Sequence, residues 1–182
     1  MNRDARHWAA WLAGTCTIAA VAVLYRLGAS PLFVYDEARL AINALEMSYD
    51  GFSLVTTYDG APDHWNTKPP LLIWAMAVSI RLFGASEWSV RLPSALAAIA
   101  TCVLLFWFCF DRSRRPLVGF LAPLLLLASP VFLGWHGARS GNYDAPLALF
   151  TTAYLCAAYL CLARPGRPVV GWLVACAAGI VL

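Results

Sequence analysis

A chain of 182 residues that is 61% hydrophobic and 13% charged, with a mean hydropathy of +0.66, carries more apolar side chain than a domain of this size can bury. That excludes a soluble, disordered, fibrous or nucleic-acid-binding protein, and a net charge of +3 is too small to point to a polyanion partner. An integral membrane protein remains, and the long low-charge stretches read as helices rather than as the short alternating strands of a barrel.

About 20 residues of helix cross the hydrocarbon core. Residues 8–27 meet that length, with Arg26 near the far end. The basic start before them has the look of a signal peptide. Its apolar part is too long for one, however, and residues 27–30 make a poor cleavage site, so the run reads as an uncleaved first span. Residues 70–84 hold only a short uninterrupted apolar stretch, 71–80, before Arg81. This suits an interfacial or re-entrant helix. Residues 93–110, 117–135 and 145–163 are further predicted spans. Residues 169–182 are apolar but stop after 14 residues. A hydrophobic helix ending in mid-bilayer would leave its last carbonyls without partners. The sequence therefore reads as the front portion of a longer protein or a truncated product. The expected architecture is an all-α, multi-span helical bundle with interfacial helices in its first outer loop.

Basic side chains collect in short cytoplasmic loops. The clusters are Arg3/Arg6, Arg112/Arg114/Arg115 and Arg164/Arg167. All three fall on one side if 70–84 does not cross. The N-terminus is then cytoplasmic, and residues 28–92 and 137–144 form two outer loops. Cys16, Cys102, Cys109, Cys156, Cys161 and Cys176 lie inside apolar runs and read as small apolar residues, not as a disulfide framework or metal knuckle.

The first outer loop is too long for a mere connector. It holds seven of the chain's ten acidic residues against four basic ones. Projected on a helix, Asp36, Arg39, Asn43, Glu46 and Asp50 follow spacings of three and four and share a polar stripe. Ala38, Ala41, Ile42, Leu45 and Tyr49 lie opposite, as for a helix on the membrane surface. Asp36 and Arg39 read either as an ion pair capping that helix or as a pair that can reach one ligand. Lys68, the chain's single lysine, precedes Pro69 and Pro70. It reads either as a snorkelling cation beside a helix start or as a holder of a phosphate at headgroup depth. Asp144 opens the 145–163 run, with Pro146 in the first turn, and reads as an N-cap on its own.

In order, Asp36-Glu37-Ala38-Arg39 after the first span, Lys68-Pro69-Pro70, Leu82-Phe83-Gly84 followed by Ser89-Val90-Arg91-Leu92, and Asp144 opening a later span resemble one family. They are similar to the N-terminal third of the polyprenyl-phosphate-sugar-dependent membrane glycosyltransferases of the C-type fold. That group includes protein O-mannosyltransferases and bacterial lipid A aminoarabinose and galacturonic acid transferases. The resemblance implies Asp36 as catalytic base and Asp144 as the second acidic residue, facing it across a cavity. It implies Glu37, Arg39 and Lys68 on the substrate-binding side, with Arg39 and Lys68 holding the donor phosphate. Several relatives carry a glutamate, in some a metal ligand, directly before the Lys-Pro pair. Thr67 stands there in this chain, so no metal site is assigned and a divalent cation stays open.

The implied reaction moves a sugar from a polyprenyl-phosphate donor to a hydroxyl on a lipid, glycan or protein acceptor. It is an inverting single displacement on the outer face of a bacterial cytoplasmic membrane. Arg39 and Lys68 would neutralise the leaving phosphate. Asp36, kept ionised by partners such as Arg39, would take the acceptor proton. The alternatives are a non-catalytic or inactive membrane fragment and part of a transporter. Against the latter, almost every charge sits at a span end, and Pro123 and Pro130 are the only breakers inside a middle span.

Overall fold

The longest helix organises the rest. In the computed structural model, which describes residues 3–134, 136–163 and 170–181, eight helices follow in chain order with one small hairpin. They are α1 (Arg3–Leu24), α2 (Asp36–Asp50), α3 (Leu71–Phe83), α4 (Glu87–Ser113), α5 (Pro116–Leu127), α6 (Pro130–Leu133), α7 (Asp144–Ala163) and α8 (Val170–Val181). Strands β1 (Thr57–Tyr58) and β2 (Ala61–Pro62) pair antiparallel between α2 and α3, with Thr57 opposite Pro62. Trp135, the Arg164/Arg167 cluster and Leu182 lie outside the described residues.

α4 packs against α1, α3, α5 and α7 and so joins two cores. In one, Leu40, Ala44 and Met47 of α2 meet Ile73, Met76 and Ile80 of α3 and Val90 of α4. In the other, Ala19 and Val23 of α1 meet Ala95, Ala98 and Cys102 of α4 and Leu127 of α5. Small residues along α4 let the neighbouring backbones approach, which is how helices pack in lipid without a hydrophobic driving force between them.

α4 and α7, of 27 and 20 residues, are long and apolar enough to cross a bilayer. α3 is apolar but has 13 residues. It rises about 20 Å, short of the roughly 30 Å hydrocarbon core. It sits between α2 and α4 instead, in keeping with the predicted interfacial or re-entrant role.

Three details depart from the sequence reading. α4 starts at Glu87 rather than Pro93, because Ser86 and Ser89 form a reciprocal capping box ahead of the proline. The predicted 117–135 helix breaks after Leu127. Pro130 lacks an amide and forces Ser129 into extended backbone, from which the Ser129 hydroxyl caps the short α6. Finally, α2 buries Leu40, Ala41, Ala44, Met47 and Ser48, whereas Ile42 and Tyr49 of the expected apolar face are exposed. Asn43, on the expected solvent stripe, is fully buried.

Candidate active site

α2 begins at an unusual turn. Tyr35, just before it, has φ 79° and ψ −81°, a conformation that strains an aromatic residue. Glu37 holds that turn. Its Oε2 accepts from the Phe33 amide at 2.8 Å, while the Ala38 and Arg39 amides donate back to the Phe33 and Tyr35 carbonyls. The consequence is that Asp36 points outward and stays exposed, whereas Glu37 points inward and is sealed.

Glu37 meets Arg91 in a closed network. The Arg91 fork donates to both carboxylate oxygens, Nε to Oε1 at 2.7 Å and Nη2 to Oε2 at 2.9 Å. The rest of the guanidinium donates to the carbonyls of Leu27, Ser30 and Pro31, each at 2.9 Å. Glu37 Oε1 also accepts from the Gly141 amide at 2.6 Å. Burial alone would raise the Glu37 pKa, but the Arg91 hydrogen bonds and the two amides outweigh it and hold the carboxyl below its ordinary value. Every Glu37 oxygen is thus engaged, and the side chain is absent from the cavity wall. The sequence expects Glu37 on the substrate-binding side; in the structure its neighbours Asp36 and Arg39 line the cavity and Glu37 does not.

Arg39 also differs from expectation. It pairs with Asp63, Nε at 2.9 Å and Nη2 at 2.6 Å, and not with Asp36. Asn43 donates to the same carboxylate at 3.1 Å, and the Trp65 amide to its other oxygen at 3.1 Å. The Arg39 guanidinium, helped by the Asn43 and Trp65 hydrogen bonds, outweighs the upward push of burial and sets the Asp63 carboxyl at a pKa of about 2. This cluster ties the hairpin and the 63–68 segment onto α2. Nη1 of Arg39 makes no hydrogen bond among the described residues, and Arg39 still lines the cavity.

Asp36 instead faces Lys68, Oδ1 to Nζ at 3.5 Å. The Lys68 backbone is positioned by Asn66, whose Oδ1 accepts its amide at 3.2 Å. The Tyr143 hydroxyl donates to the Pro69 carbonyl at 2.8 Å, and its ring lies 5.4 Å from the lysine Nζ.

Asp36, Arg39, Asn66, Thr67 and Lys68 line one cavity of about 630 Å³, with Tyr35 and Trp65 at its sides. Lys68 also closes one end of a second, apolar cavity of about 600 Å³ formed by α3, α4 and α7. Ala75, Leu96, Ala100, Leu147 and Phe150 are on that wall. A single ammonium therefore stands where a polar chamber meets a greasy one. Asp144 is the first residue of α7 and is exposed, with no side-chain hydrogen bond among the described residues. The N-cap read for it is not made. It lines neither cavity, though Tyr143 and Pro146 beside it line the apolar one.

Asp63, Gly141 and Tyr143 support the site without a signal in the sequence reading, where Asn43 stands only as a member of the polar stripe and Arg91 only as part of the Ser89-Val90-Arg91-Leu92 motif. Gly141 carries its own signature: a Cβ there would lie 2.9 Å from Val90 Cγ1 and 3.3 Å from Glu37 Oε1. Among the described residues no three His, Cys, Asp or Glu side chains converge as metal ligands. The charged groups flanking Asp36 are a lysine and an arginine, donors suited to an anion.

The family model for dolichyl-phosphate-mannose-protein mannosyltransferases matches residues 67–182. The chain is 29% identical over 152 residues to the undecaprenyl phosphate-alpha-4-amino-4-deoxy-L-arabinose arabinosyl transferase of Edwardsiella ictaluri, covering 82% of this chain and 27% of that protein. It is 30% identical over 140 residues to the Aeromonas hydrophila transferase of the same name, covering 75% and 24%. The crystal structure of ArnT from Cupriavidus metallidurans bound to undecaprenyl phosphate superposes with a TM-score of 0.77 at 27% identity. That match covers 93% of this chain and 31% of ArnT. The chain thus spans 24–31% of the length of these relatives, and the fold is that of a multi-span helical membrane protein. By its sequence match and its architecture, the chain belongs to the dolichyl-phosphate-mannose-protein mannosyltransferase family.

Proposed function

We propose that this chain carries the donor-phosphate site and the catalytic base of a membrane glycosyltransferase that uses a polyprenyl-phosphate sugar. The observation that carries the reading is Lys68 at the junction of two cavities, one polar and holding Asp36, the other apolar. An amphiphile with a phosphate head and an isoprenoid tail has that division of chemistry. The solved ArnT relative is bound to undecaprenyl phosphate, which supports a lipid of this class.

In this reading Lys68 and the open edge of Arg39 bind the phosphate by charge-assisted hydrogen bonds. The acceptor hydroxyl attacks the anomeric carbon from the face opposite the phosphate. The bond from that carbon to the phosphate oxygen breaks, its electron pair leaves with the phosphate, and configuration inverts. Asp36 takes the hydroxyl proton. Lys68 plays two parts: it pairs with Asp36 while the donor is absent, and it turns to the phosphate when the donor enters. Arg39, fixed by Asp63, does not need to move. Asp144 serves as the second acidic group, supported by the adjacent Tyr143, which is tied to Pro69. The transfer takes place on the outer face, with the N-terminus cytoplasmic, as the basic clusters suggest.

The test is binding of undecaprenyl phosphate to the chain in nanodiscs. Saturable binding is expected, weakened about tenfold or more in K68Q, the loss of one charge-assisted hydrogen bond. D36N is expected to bind the lipid as well as the unaltered chain does. In preparations that transfer sugar, D36N is expected to abolish turnover. Equal affinity of K68Q and the unaltered chain would remove the phosphate assignment, and undiminished turnover in D36N would remove the base.

A further inference from the structure

A third cavity, of about 230 Å³, lies beyond the Glu37–Arg91 pair, at the end of α1. Arg26, Ser30, Phe33, Leu133, Gly134 and Arg139 are on its wall. Two guanidinium groups therefore share one small chamber, and no aspartate or glutamate is among the residues that line it. Arg139 is anchored, since its Nη2 donates to the Tyr25 carbonyl at 2.6 Å. Arg26 is exposed, held just past the helix end with φ 53°, and makes no side-chain bond among the described residues. Like charges gathered in one cavity repel unless an anion lies between them.

The surroundings say what kind of anion. Val21 of α1 and Tyr25, one turn on and just past the helix end, are exposed by 61% and 66%, and Val131 of α6 by 80%. Tyr25 adjoins Arg26 in the chain and Val131 lies two residues before Leu133, so this apolar surface neighbours residues of the chamber wall in sequence. Tyr and Arg together at a helix end are the usual furniture of a membrane–water boundary. A free anion would use the arginines and leave this rim unused. A membrane phospholipid would use both, setting its phosphate between the arginines and its acyl chains along Val21, Tyr25 and Val131.

We propose that Arg26 and Arg139 form a binding site for the phosphate of an anionic phospholipid, separate from the Lys68 cavity, and that this lipid ties the end of α1 to Gly134 and Arg139. The site rests on the chain being a membrane protein, and it is independent of sugar transfer.

The experiment is native mass spectrometry of the chain released from detergent that holds equal parts phosphatidylglycerol and phosphatidylcholine. Retained lipid is expected to be enriched in phosphatidylglycerol. R26Q should reduce the enrichment by about fivefold, the scale for one basic residue at an anionic surface, and R26Q/R139Q should abolish it. K68Q should leave it unchanged while weakening undecaprenyl phosphate binding, which separates this site from the donor site. Because Arg139 also holds the Tyr25 carbonyl, helix content by circular dichroism accompanies the double variant, and R26Q alone decides if that variant unfolds. Equal retention of the two lipids, or enrichment unchanged in R26Q, overturns the proposal. So does inorganic phosphate raising the melting temperature as much as phosphatidylglycerol does, since that would assign the cavity to a free anion.

Discussion

Asp36 and Glu37 are neighbours in the chain and opposites in the structure. Glu37 and Arg91 are each 1% exposed and meet at 2.7 Å. Asp36 and Lys68 are 57% and 42% exposed and stand 3.5 Å apart. The first pair has no spare hydrogen-bonding capacity, and the second keeps most of its own. A saturated buried pair cannot take part in chemistry without being dismantled, but it can fix its surroundings. A loose exposed pair contributes little to stability and can exchange partners when a ligand arrives. The strained turn at Tyr35 is what sends adjacent carboxylates to these two fates.

The largest effect that can break this contrast is at Arg91. R91M removes five donors and leaves Glu37 as an unpaired buried charge, expected to cost about 3–5 kcal/mol. Size-exclusion behaviour and thermal melting in detergent would read the loss. The partner substitution should cost less, because Arg91 keeps its bonds to the Leu27, Ser30 and Pro31 carbonyls and glutamine at position 37 still accepts from one of the Phe33 and Gly141 amides. The E37Q/R91M double variant should therefore lose less than the two single losses added. If R91M melts like the unaltered chain, the pair is not the anchor described here.

At the other pair the expectation reverses. K68Q should change the melting temperature little, because an exposed ion pair is worth about 0–1 kcal/mol, while it weakens the phosphate-bearing lipid about tenfold or more. A variant that lost stability and lipid affinity together would erase the distinction between the two pairs.

How much of this could be read in advance depends on the range of each interaction. The α2 helix was projected over 36–50 and forms over Asp36–Asp50, because its signal is local: a dipole-stabilised carboxylate at the start and a glycine after the end. The polar stripe on it was local too, and partly misleading. Spacing places Asn43 with Arg39 and Glu46, but it cannot say that a hairpin folds over that face and buries Asn43 against the Thr57 carbonyl, Asp63 and Asn66. Arg91 sits 54 residues from Glu37. An arginine five residues into a strongly apolar helix is a visible oddity. Its partner is set by how α2 and α4 pack, which no local pattern encodes. Asp36, Arg39 and Lys68 were named from the sequence and do line one cavity. Of the two readings of Asp36 and Arg39, the ion pair is not made, because Asp63 offers Arg39 a buried bidentate partner.

A smaller effect sharpens the same comparison. Tyr143 reaches the Pro69 carbonyl from the segment that Glu37 holds through Gly141. It carries the rigidity of the buried pair across to the lysine. Burial pushes the Tyr143 hydroxyl pKa well above its ordinary value, so it stays a donor throughout the physiological range. Y143F removes one neutral hydrogen bond and should cost about 1 kcal/mol. It should also widen the Lys68 position and weaken the lipid by less than K68Q does. An affinity loss as large as that of K68Q would show that Tyr143 touches the ligand and does more than position the lysine.

The smallest effect at neutral pH is at Asp63, and it appears only in acid. The Asp63 carboxyl lies at about 2 in the folded chain against 3.8 ordinarily. A depressed carboxylate contributes stability that is complete above its unfolded value and fades as the pH falls through the folded one. The tie from Asp63 to Arg39 should therefore hold at pH 5 and loosen between about 4 and 2. Hydrogen exchange at the Trp65 and Asn66 amides, both donors to Asp63 Oδ1, reads it directly once intrinsic rates are corrected. Protection should drop over that window, whereas D63N should be poorly protected at every pH and show no step. Glu37 is also depressed and loses its charge in the same direction, so its segment provides the contrast. The Gly141 amide donates to a carboxylate sealed from water on all sides. That amide should stay protected until the chain opens as a whole, after the Asp63 cluster has let go. Simultaneous loss at Gly141 and Trp65 would mean that one cooperative unit holds both carboxylates, and that the site has no separately mobile wall.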